Sequence, residues 1–317
     1  MYNVAIIGAG QLGSRHLQGL KGAASPLSIT VVDSSEASLK VAEEHYESVS
    51  AVGEKSVQFT TTMNQLSKEL DLVIVSTSSR PRADIVKSLL RLSKVKYLIL
   101  EKVLFPKLCE YDEIDQLLKE YGVTCWVNCP RRMYGIYSYL SHKIDKSKPV
   151  KMINANENWG LCCNSIHNID LFMYLTGEST YTIDVSGLHR EILNSKREGY
   201  IEMTGTLIVT TPNGSRLTLT SENGYKGPKG RFIENNGLRI FLDESKAIGN
   251  CGDDHFSFIV PFQSQLSGLL ADEILKTGGC QLTPYAISAS YHKPFLSALL
   301  SFYNEVNGTN SEFLAIT

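Results

Sequence analysis

The sequence predicts a two-part chain: an N-terminal α/β domain with a doubly wound parallel sheet, then an α+β domain with a large, mainly antiparallel open sheet. Three observations support this fold class. Short apolar segments alternate with helical patterns through the first 128 residues. A glycine-rich turn directly follows the first of these segments. From Tyr181 onward, alternating apolar and polar residues are separated by turn signals, which is typical of antiparallel strands.

Length and composition limit the classes of protein to consider. A chain of 317 residues is long enough for two domains, at roughly 150 residues per domain. Its net charge of −2 gives no reason to expect nucleic acid or an acidic membrane surface as a partner. No apolar run approaches the roughly 20 residues that a membrane span requires. We therefore expect a small molecule as the partner, with neither nucleic acid nor membrane.

The chain contains seven cysteines, and no two of them form a Cys-x-x-Cys pair. The sequence therefore predicts neither a metal site nor a disulfide framework. The chain also enters a strand almost at once, which leaves no room for a signal peptide. Together with reduced thiols, this predicts a cytoplasmic location.

The first domain is predicted at residues 1–129. Its six strands are expected at residues 4–7, 29–33, 57–60, 72–77, 97–101 and 125–128. Helical patterns lie between them, and two have clear end signals. One begins at Pro81, which suits a first helical turn, and one stops at Gly122, which suits the position just past a helix end.

The second domain is predicted at residues 130–317. A helix ending at Gly177 precedes β-rich segments at residues 181–192, 201–214, 216–223 and 230–243. Asn213-Gly214 and Asn236-Gly237 indicate hairpins, because both residue types tolerate positive φ. Two amphipathic helices follow, at about 262–277 and 284–304. Helices would cover one sheet face, and the apolar residues of the other face need cover, so we expect a homodimer or homotetramer.

The glycine turn is the strongest functional motif of the chain. Gly8, Gly10 and Gly13 leave a predicted strand and enter a helix, and Asp33 lies twenty residues beyond Gly13, at the end of the next strand. This is the context that the dinucleotide-binding fingerprint of a Rossmann domain requires. Gln11 and Leu12 of the same loop lie at the helix N-terminus, where free N–H groups meet phosphates.

Further cofactor-binding residues are expected at strand ends. Asp33 should accept a hydrogen bond from a ribose 2′-OH and repel a 2′-phosphate, which favours NAD and leaves NADP open. An alternative role for Asp33 is the N-cap of the next helix. Because ligands bind at the carboxyl ends of parallel strands, we add Thr77, Ser78, Glu101 and Lys102 to the cofactor-binding set. Lys102 could serve there as an acid or base, and a surface lysine is the alternative.

Three segments together narrow the class of protein. They are "GAGQLGSRHL" at the glycine loop, "EK" after the fifth strand and the His-x-x-Asp pattern in "SIHNIDL". The chain resembles the Gfo/Idh/MocA family of glucose–fructose oxidoreductase and inositol dehydrogenase-like enzymes over essentially its whole length. The resemblance implies an NAD(P)-dependent oxidoreductase acting on the CH–OH group of a sugar, sugar nucleotide or cyclic polyol. It also implies that Lys102, His167 and Asp170 are catalytic.

The residues themselves suggest how these groups could act. His167 is expected near a helix N-terminus, where the dipole disfavours imidazolium, so a neutral ring could be a base. Asp170, three residues on, could orient that ring or bind a substrate hydroxyl. The alternatives are a buried capping histidine and a structural salt bridge. Weaker candidates for the substrate site are Asn128, Arg132 and Cys163.

The sequence departs from the family pattern at three positions. Val103 replaces the proline that usually follows the lysine, and Arg82 replaces a histidine that many relatives carry after strand four. Cys163 stands where the family's dehydrogenases often have an aspartate, four residues before the histidine. A non-catalytic, dinucleotide-binding regulatory protein of the same fold therefore remains a second hypothesis.

Overall fold

The first six strands form a parallel sheet with helices between them. The structure, a computed structural model, describes all residues from Met1 to Thr317. In chain order, the elements of this part are β1 (Tyr2–Ile7), α1 (Gln11–Lys21), β2 (Leu27–Val32), α2 (Glu36–Glu47), β3 (Lys55–Thr60), β4 (Glu69–Val75), α3 (Ser79–Leu92), β5 (Lys94–Leu100), α4 (Leu108–Glu120) and β6 (Thr124–Val127). Every predicted strand is present, with bounds that differ by at most three residues.

The remaining elements are mostly strands. They are α5 (Gly135–Lys143), β7 (Lys151–Glu157), α6 (Leu161–Thr176), β8 (Thr182–Leu188), β9 (Leu193–Asn194), β10 (Ile201–Glu202), β11 (Gly205–Thr210), β12 (Arg216–Glu222), β13 (Gly230–Asn235), β14 (Leu238–Asp243), β15 (Ile248–Cys251), β16 (Asp254–Ser257), α7 (Gln263–Thr277), β17 (Thr283–Pro284) and α8 (Tyr285–Asn307). None of the helices combines the length and the apolar content that crossing a bilayer requires.

The first sheet is doubly wound. Its strand order is β17-β6-β5-β4-β1-β2-β3, and β1 to β6 all run parallel. Strands β1, β2, β4, β5 and β6 are mostly buried on both faces, as their Val- and Ile-rich sequences predict, whereas the edge strand β3 is mostly exposed or half-buried. The strand order reverses at β1, which lies between β2 and β4. In sheets of this type, the crevice at the carboxyl end of such a switch point is where ligands bind.

The structure divides into two compact units, and one division falls between Asn128 and Cys129, next to the predicted boundary, while a later segment of the chain joins the first unit. The first unit contains Met1–Phe105, Cys109–Asn128 and also Pro261–Tyr285, and the second contains the remainder. The sequence identified α7 as an amphipathic helix but did not show that it packs on α1. Gly19 and Gly268 allow this close packing, because a Cβ atom at Gly268 would lie 2.5 Å from the Gly19 carbonyl oxygen.

The second unit contains a mixed but mainly antiparallel sheet, which confirms the predicted fold class. Its strand order is β16-β15-β14-β13-β7-β12-β11-β8, and only β7 and β12 pair in parallel. The central strand β7 was not predicted. Its sequence, KMINANE, carries too many polar residues to read as a buried strand.

Both predicted hairpins are present in this sheet. Strands β11 and β12 pair across the turn that contains Asn213-Gly214, and β13 and β14 pair across Asn236-Gly237. Asn236 and Gly237 have φ values of 45° and 84°, as a two-residue type I′ turn requires.

Candidate functional site

The glycine loop joins β1 to α1 and leaves open space above the helix. A Cβ atom at Gly13 would lie 1.8 Å from the Gly8 carbonyl oxygen, so only glycine allows the helix to start this close to the strand. At Gly10, by contrast, no atom lies within 4 Å of the place a Cβ would take. The backbone at Gly10 can therefore approach a ligand closely.

The N-terminus of α1 is suited to an anion. It has no side-chain cap and no acidic residue in its first turn, which contains Gln11 and Leu12. Backbone N–H groups of a first helical turn have no partner within the helix, and they carry the positive end of its dipole. The loop and helix start thus fit the pyrophosphate of a dinucleotide.

Asp33 is held against the glycine loop. Its Oδ2 accepts a hydrogen bond from the Ala9 N–H at 2.7 Å, and its Oδ1 accepts one from the Ser35 N–H at 2.9 Å. The N-cap of α2 is Ser35, whose hydroxyl accepts from the Ser38 N–H. The alternative role of Asp33 as an N-cap is therefore wrong, and its partly exposed carboxylate is oriented by the loop itself.

The turn after β4 contacts the glycine loop through a residue that the sequence did not indicate. The Ser76 hydroxyl donates to the Gly8 carbonyl oxygen at 2.6 Å. The next residue, Thr77, has a buried hydroxyl oxygen with no hydrogen-bond partner in the protein. Ser78 is the N-cap of α3 and makes no side-chain cap bond. The unsatisfied Thr77 oxygen and the open space at Gly10 both fit a bound dinucleotide.

Glu101 belongs to a buried polar network. Its side chain is 3% exposed, and its Oε1 accepts hydrogen bonds from Asn128 Nδ2 and from His16 Nε2, the latter at 3.0 Å. Burial would raise the pKa of Glu101, but the hydrogen bond and charge of His16, with smaller effects of Asn128 and Lys102, lower it. The prediction that Glu101 contacts the cofactor directly is not supported by this geometry, because its carboxylate faces His16 and Asn128.

Helix α7 completes this network, which we call the Glu101 network: His16, Glu101, Asn128, Gln263 and Ser267. Ser267 Oγ lies 2.9 Å from His16 Nδ1, and Asn128 Nδ2 donates to Gln263 Oε1 at 2.9 Å. The Nδ2 group of Asn128 is thus fully used within this buried network, whereas its Oδ1 has no hydrogen-bond partner. Sequence reasoning could not find these contacts, because α7 lies more than 130 residues from Asn128.

Lys102 follows β5 and is partly exposed, between the buried residues Glu101 and Val103. The Lys102–Val103 peptide bond is cis although no proline is present. Arg82, only 1% exposed, donates hydrogen bonds to the carbonyl oxygens of Thr77, Val103 and Leu104. Arg82 thus connects the turns after β4 and β5, and it fixes the backbone on the C-terminal side of Lys102.

His167 and Asp170 lie on α6, in the second unit. His167 is the seventh residue of the helix and is partly exposed. The expected placement of His167 at the helix N-terminus is therefore wrong, and because the effect of a helix end fades after the first turn, the dipole does not act on this ring. Asp170 is buried and accepts from Arg132 Nε at 3.0 Å, while the Arg132 guanidinium lies 5.0 Å from the centre of the Tyr174 ring. The salt-bridge alternative for Asp170 is the one that the structure shows, and it also occupies Arg132.

Cys163 lies in the first turn of α6 and is partly exposed. The carboxylate at this helix start comes from β10 instead. Glu202 Oε1 accepts from the Cys162 N–H at 2.6 Å and from the Met203 N–H at 3.0 Å. Burial raises the pKa of Glu202, although these hydrogen bonds act in the opposite direction. Nothing in the sequence pointed to Glu202 as a partner of α6.

A largely buried charged cluster lies beside α6. Glu244 accepts hydrogen bonds from Arg131, Arg231 and the Tyr137 hydroxyl, and Arg231 Nη2 also donates to Asn168 Oδ1 at 2.7 Å. Burial would raise the pKa of Glu244, but the charges of Arg231 and Arg131 lower it to about 2. The cluster joins β13, the end of β14 and α6.

The fold and the glycine loop define a dinucleotide-binding protein, and a comparison with family models identifies its class. Residues 2–129 match the GFO_IDH_MocA model, described as an oxidoreductase family with an NAD-binding Rossmann fold. The N-terminal domain thus matches this family of NAD-binding oxidoreductases, and the rest of the chain lies outside the matched range. The resemblance noted in the sequence is thereby confirmed over residues 2–129, and the matched family binds NAD.

Individual relatives agree with this assignment at low identity. A 4-carboxy-2-hydroxymuconate-6-semialdehyde dehydrogenase of a Sphingobium species (strain SYK-6) is 23% identical over 260 residues, which cover 75% of this chain and 78% of that protein. An oxidoreductase from Agrobacterium radiobacter, solved with NAD+, L-tartaric acid and magnesium, is 14% identical with a TM-score of 0.70, covering 97% of this chain and 99% of that one. A candidate myo-inositol dehydrogenase from Sinorhizobium meliloti 1021 is 13% identical with a TM-score of 0.66, covering 96% and 98%.

Proposed function

We propose that the protein transfers hydride between NAD and the hydroxyl or keto carbon of a sugar, sugar nucleotide or cyclic polyol. The observation that carries this proposal is the glycine loop with Asp33 bonded to its Ala9 N–H. A carboxylate fixed at this place accepts a hydrogen bond from the adenosine ribose 2′-hydroxyl and repels the 2′-phosphate of NADP. All seven cysteines are free thiols, which supports a reducing, cytoplasmic setting.

Proton transfer is assigned to the chain's own residues. When bound, the nicotinamide supplies the group that accepts or donates hydride. Lys102 lies directly after β5, at the carboxyl edge of the sheet where ligands bind, and we assign it the proton of the substrate hydroxyl. His167 is the second candidate for carrying that proton or for polarising the substrate oxygen. Asp170 holds Arg132, so its role in the proposal is to fix this part of α6.

The substrate class is supported by what the relatives act on or bind. The Sinorhizobium protein is a candidate dehydrogenase of a cyclic polyol, and the Agrobacterium structure contains a hydroxy acid. The Sphingobium relative acts on a semialdehyde. A hydroxyl or carbonyl carbon is common to these molecules, which is why we place the CH–OH group at the centre of the proposal.

Cofactor binding can be tested before the substrate is known. Titration with NADH and with NADPH, followed by energy transfer from tryptophan to the nicotinamide, should show tighter binding of NADH. Asp33→Ala should narrow this preference, because it removes the acid that disfavours the 2′-phosphate. A preference for NADPH in the unmodified protein would contradict the role of Asp33. Binding of neither dinucleotide by folded, cofactor-free protein would contradict the proposal itself.

Cys163 favours a second candidate function, a non-catalytic dinucleotide-binding regulator. The position lacks the carboxylate that the resemblance associates with catalysis. Cys163→Asp separates the two functions when turnover is measured with NAD and a panel of sugars and polyols. A large gain in turnover would indicate a site that has lost catalysis. A loss of turnover would indicate an active site in which the cysteine belongs, as the proposed function requires.

A further inference from the structure

The buried carboxylate of Glu101 directly precedes Lys102, the residue to which we assign proton transfer. This carboxylate is almost completely buried, and an unpaired buried charge is strongly destabilising. Two side chains satisfy it: Asn128, which follows β6, and His16, which lies in the middle of α1. His16 is itself 1% exposed, so water cannot replace this contact readily.

The orientation of His16 is fixed from its other side. Its Nδ1 lies 2.9 Å from Ser267 Oγ, and the Ser267 hydroxyl donates to the Gln263 carbonyl oxygen at 2.9 Å. Gln263 Nε2 also donates to Ser267 Oγ at 3.1 Å. The serine is therefore held within α7, and the histidine is held between α7 and the end of β5.

We propose that His16 is a positioning residue for Lys102: through its Nε2 contact with Glu101, it fixes the backbone immediately before the lysine. Arg82 fixes the backbone immediately after it. This inference rests on the proposed function, because the position of Lys102 matters for catalysis only if Lys102 carries the substrate proton. A displacement of about 1 Å in a catalytic group can cost about 100-fold in rate, so a residue that never touches substrate can matter this much.

Two substitutions of His16 separate its two contacts. A glutamine Nε2 reaches about as far as the histidine Nε2, whereas an asparagine Nδ2 reaches only as far as Nδ1. His16→Gln therefore keeps the Glu101 contact and loses that with Ser267, and His16→Asn does the reverse. We expect His16→Asn to lower kcat by about 10- to 100-fold and His16→Gln to keep it within about threefold. The Kd for NADH should stay within about threefold in both.

Hydrogen exchange provides a readout that does not require turnover. The Glu101 N–H donates to the Val75 carbonyl oxygen at 3.0 Å, and the Asn128 N–H donates to that of Leu100 at 2.8 Å. In the protein without substrate, exchange of both amides should be at least about tenfold faster in His16→Asn and unchanged in His16→Gln. If His16→Asn does not fold, Glu101→Gln, which weakens the His16 contact without leaving a buried charge unpaired, should show the same two effects at smaller size. Ser267→Ala, which removes only the contact that His16→Gln also loses, should show neither effect.

The outcomes are distinguishable. Equal exchange in both His16 variants would overturn the inference, whatever their activity. A parallel fall of kcat and NADH affinity would also overturn it, because His16 would then act through the cofactor-binding helix. Faster exchange in His16→Asn alone supports the positioning of this segment, and if the unmodified protein then turns over no hydroxyl substrate, it is the proposed function that fails.

Discussion

Single residues around Lys102 differ sharply in what they contact. The Glu101 carboxylate accepts hydrogen bonds within the Glu101 network, and the carbonyl oxygens of Val103 and Leu104 accept hydrogen bonds from Arg82. Lys102 is the partly exposed residue between these anchored neighbours. A flexible side chain on a fixed backbone is what proton exchange with a bound substrate requires.

Replacing Lys102 by methionine tests its assigned role. Lys102→Met keeps most of the side-chain volume and removes the amine, so turnover should fall by about 100- to 10,000-fold, the usual contribution of a general acid or base. Energy transfer from tryptophan should show that NADH binding survives, because the glycine loop and Asp33 are unchanged.

Lys96→Met is the matched control, since Lys96 lies on β5, the strand that precedes Lys102, and is exposed. It should leave kcat unchanged. If Lys102→Met keeps turnover within a few-fold of the unmodified protein, the proton is carried by another group.

Site residues could be predicted from the sequence when their partners lie near them in the chain, and not when the partners lie far away. Gly8, Gly10, Gly13 and Asp33 could be assigned from the sequence, because a fixed spacing on one strand–helix unit determines their geometry. The partners of Glu101 could not be predicted from spacing, because His16 lies on α1 and Asn128 follows β6, both far from Glu101 in the sequence. A buried carboxylate and a cofactor ligand look the same in a sequence until the fold shows which way each faces.

At the scale of elements, the β13–β14 hairpin depends on a charge pair. Glu244 follows β14 and neutralises Arg231, which is buried at the start of β13. The hairpin turn at Asn236-Gly237 lies at the opposite end of the two strands. The turn and the charge pair thus secure the hairpin at its two ends.

Because of this charge pair, we expect the free energy of unfolding to depend on pH. The pKa of Glu244 is lowered from 4.5 to about 2, so its stabilisation is present above pH 4.5 and lost as pH falls toward 2. At about 1.4 kcal/mol per unit, the contribution is about 3 kcal/mol. Glu244→Gln should lower the free energy of unfolding by about this amount at pH 7, and the difference should narrow by pH 3.

Urea denaturation at pH 7, 5 and 3 measures this difference. Glu234→Gln, on the same hairpin but in a largely exposed pair with Lys151, should change stability by less than about 0.5 kcal/mol at pH 7. A Glu244→Gln protein with the same stability as Glu234→Gln at pH 7 would contradict the assigned charge pair.

Among the elements, those with a local signal were predicted and those defined by distant partners were not. The hairpins and the six parallel strands carry their own turn residues and apolar runs. Strand β7 has neither, and it is central only because β12 and β13 pair on its two sides. Likewise, the amphipathic pattern of α7 shows that it buries one face, but not that this face lies on α1.

At the scale of the whole molecule, one face of the second sheet remains partly exposed. Apolar side chains on it include Ile153, Phe232 and Phe241, and a groove of about 250 Å³ is lined by Lys151, Ile153, Tyr225, Pro228, Phe232 and Glu234. We propose that a second copy of the chain covers this face, because a broad sheet with alternating apolar residues is stable when paired.

Light scattering tests this proposal directly. The unmodified protein should have two or four times its chain mass of 35.1 kDa at micromolar concentration. Phe232→Lys, which puts a charge on the proposed interface, should shift the population toward monomer. Ile287→Lys, on the exposed side of α8, should not. A monomer of the unmodified protein would remove the basis for the proposed assembly.

The return of α7 to the first unit also has a consequence during synthesis. Domains at the N-terminus usually fold while the rest of the chain is still being made, at about 5–20 residues per second. Here the helix that covers α1 and supplies Gln263 and Ser267 emerges only after the whole strand-rich segment Cys129–Val260. The nascent first unit must therefore wait about 7 to 26 seconds with one face of α1 and the Glu101 side chain incompletely covered. In the growing chain, the first unit can be completed only after most of the second has been made.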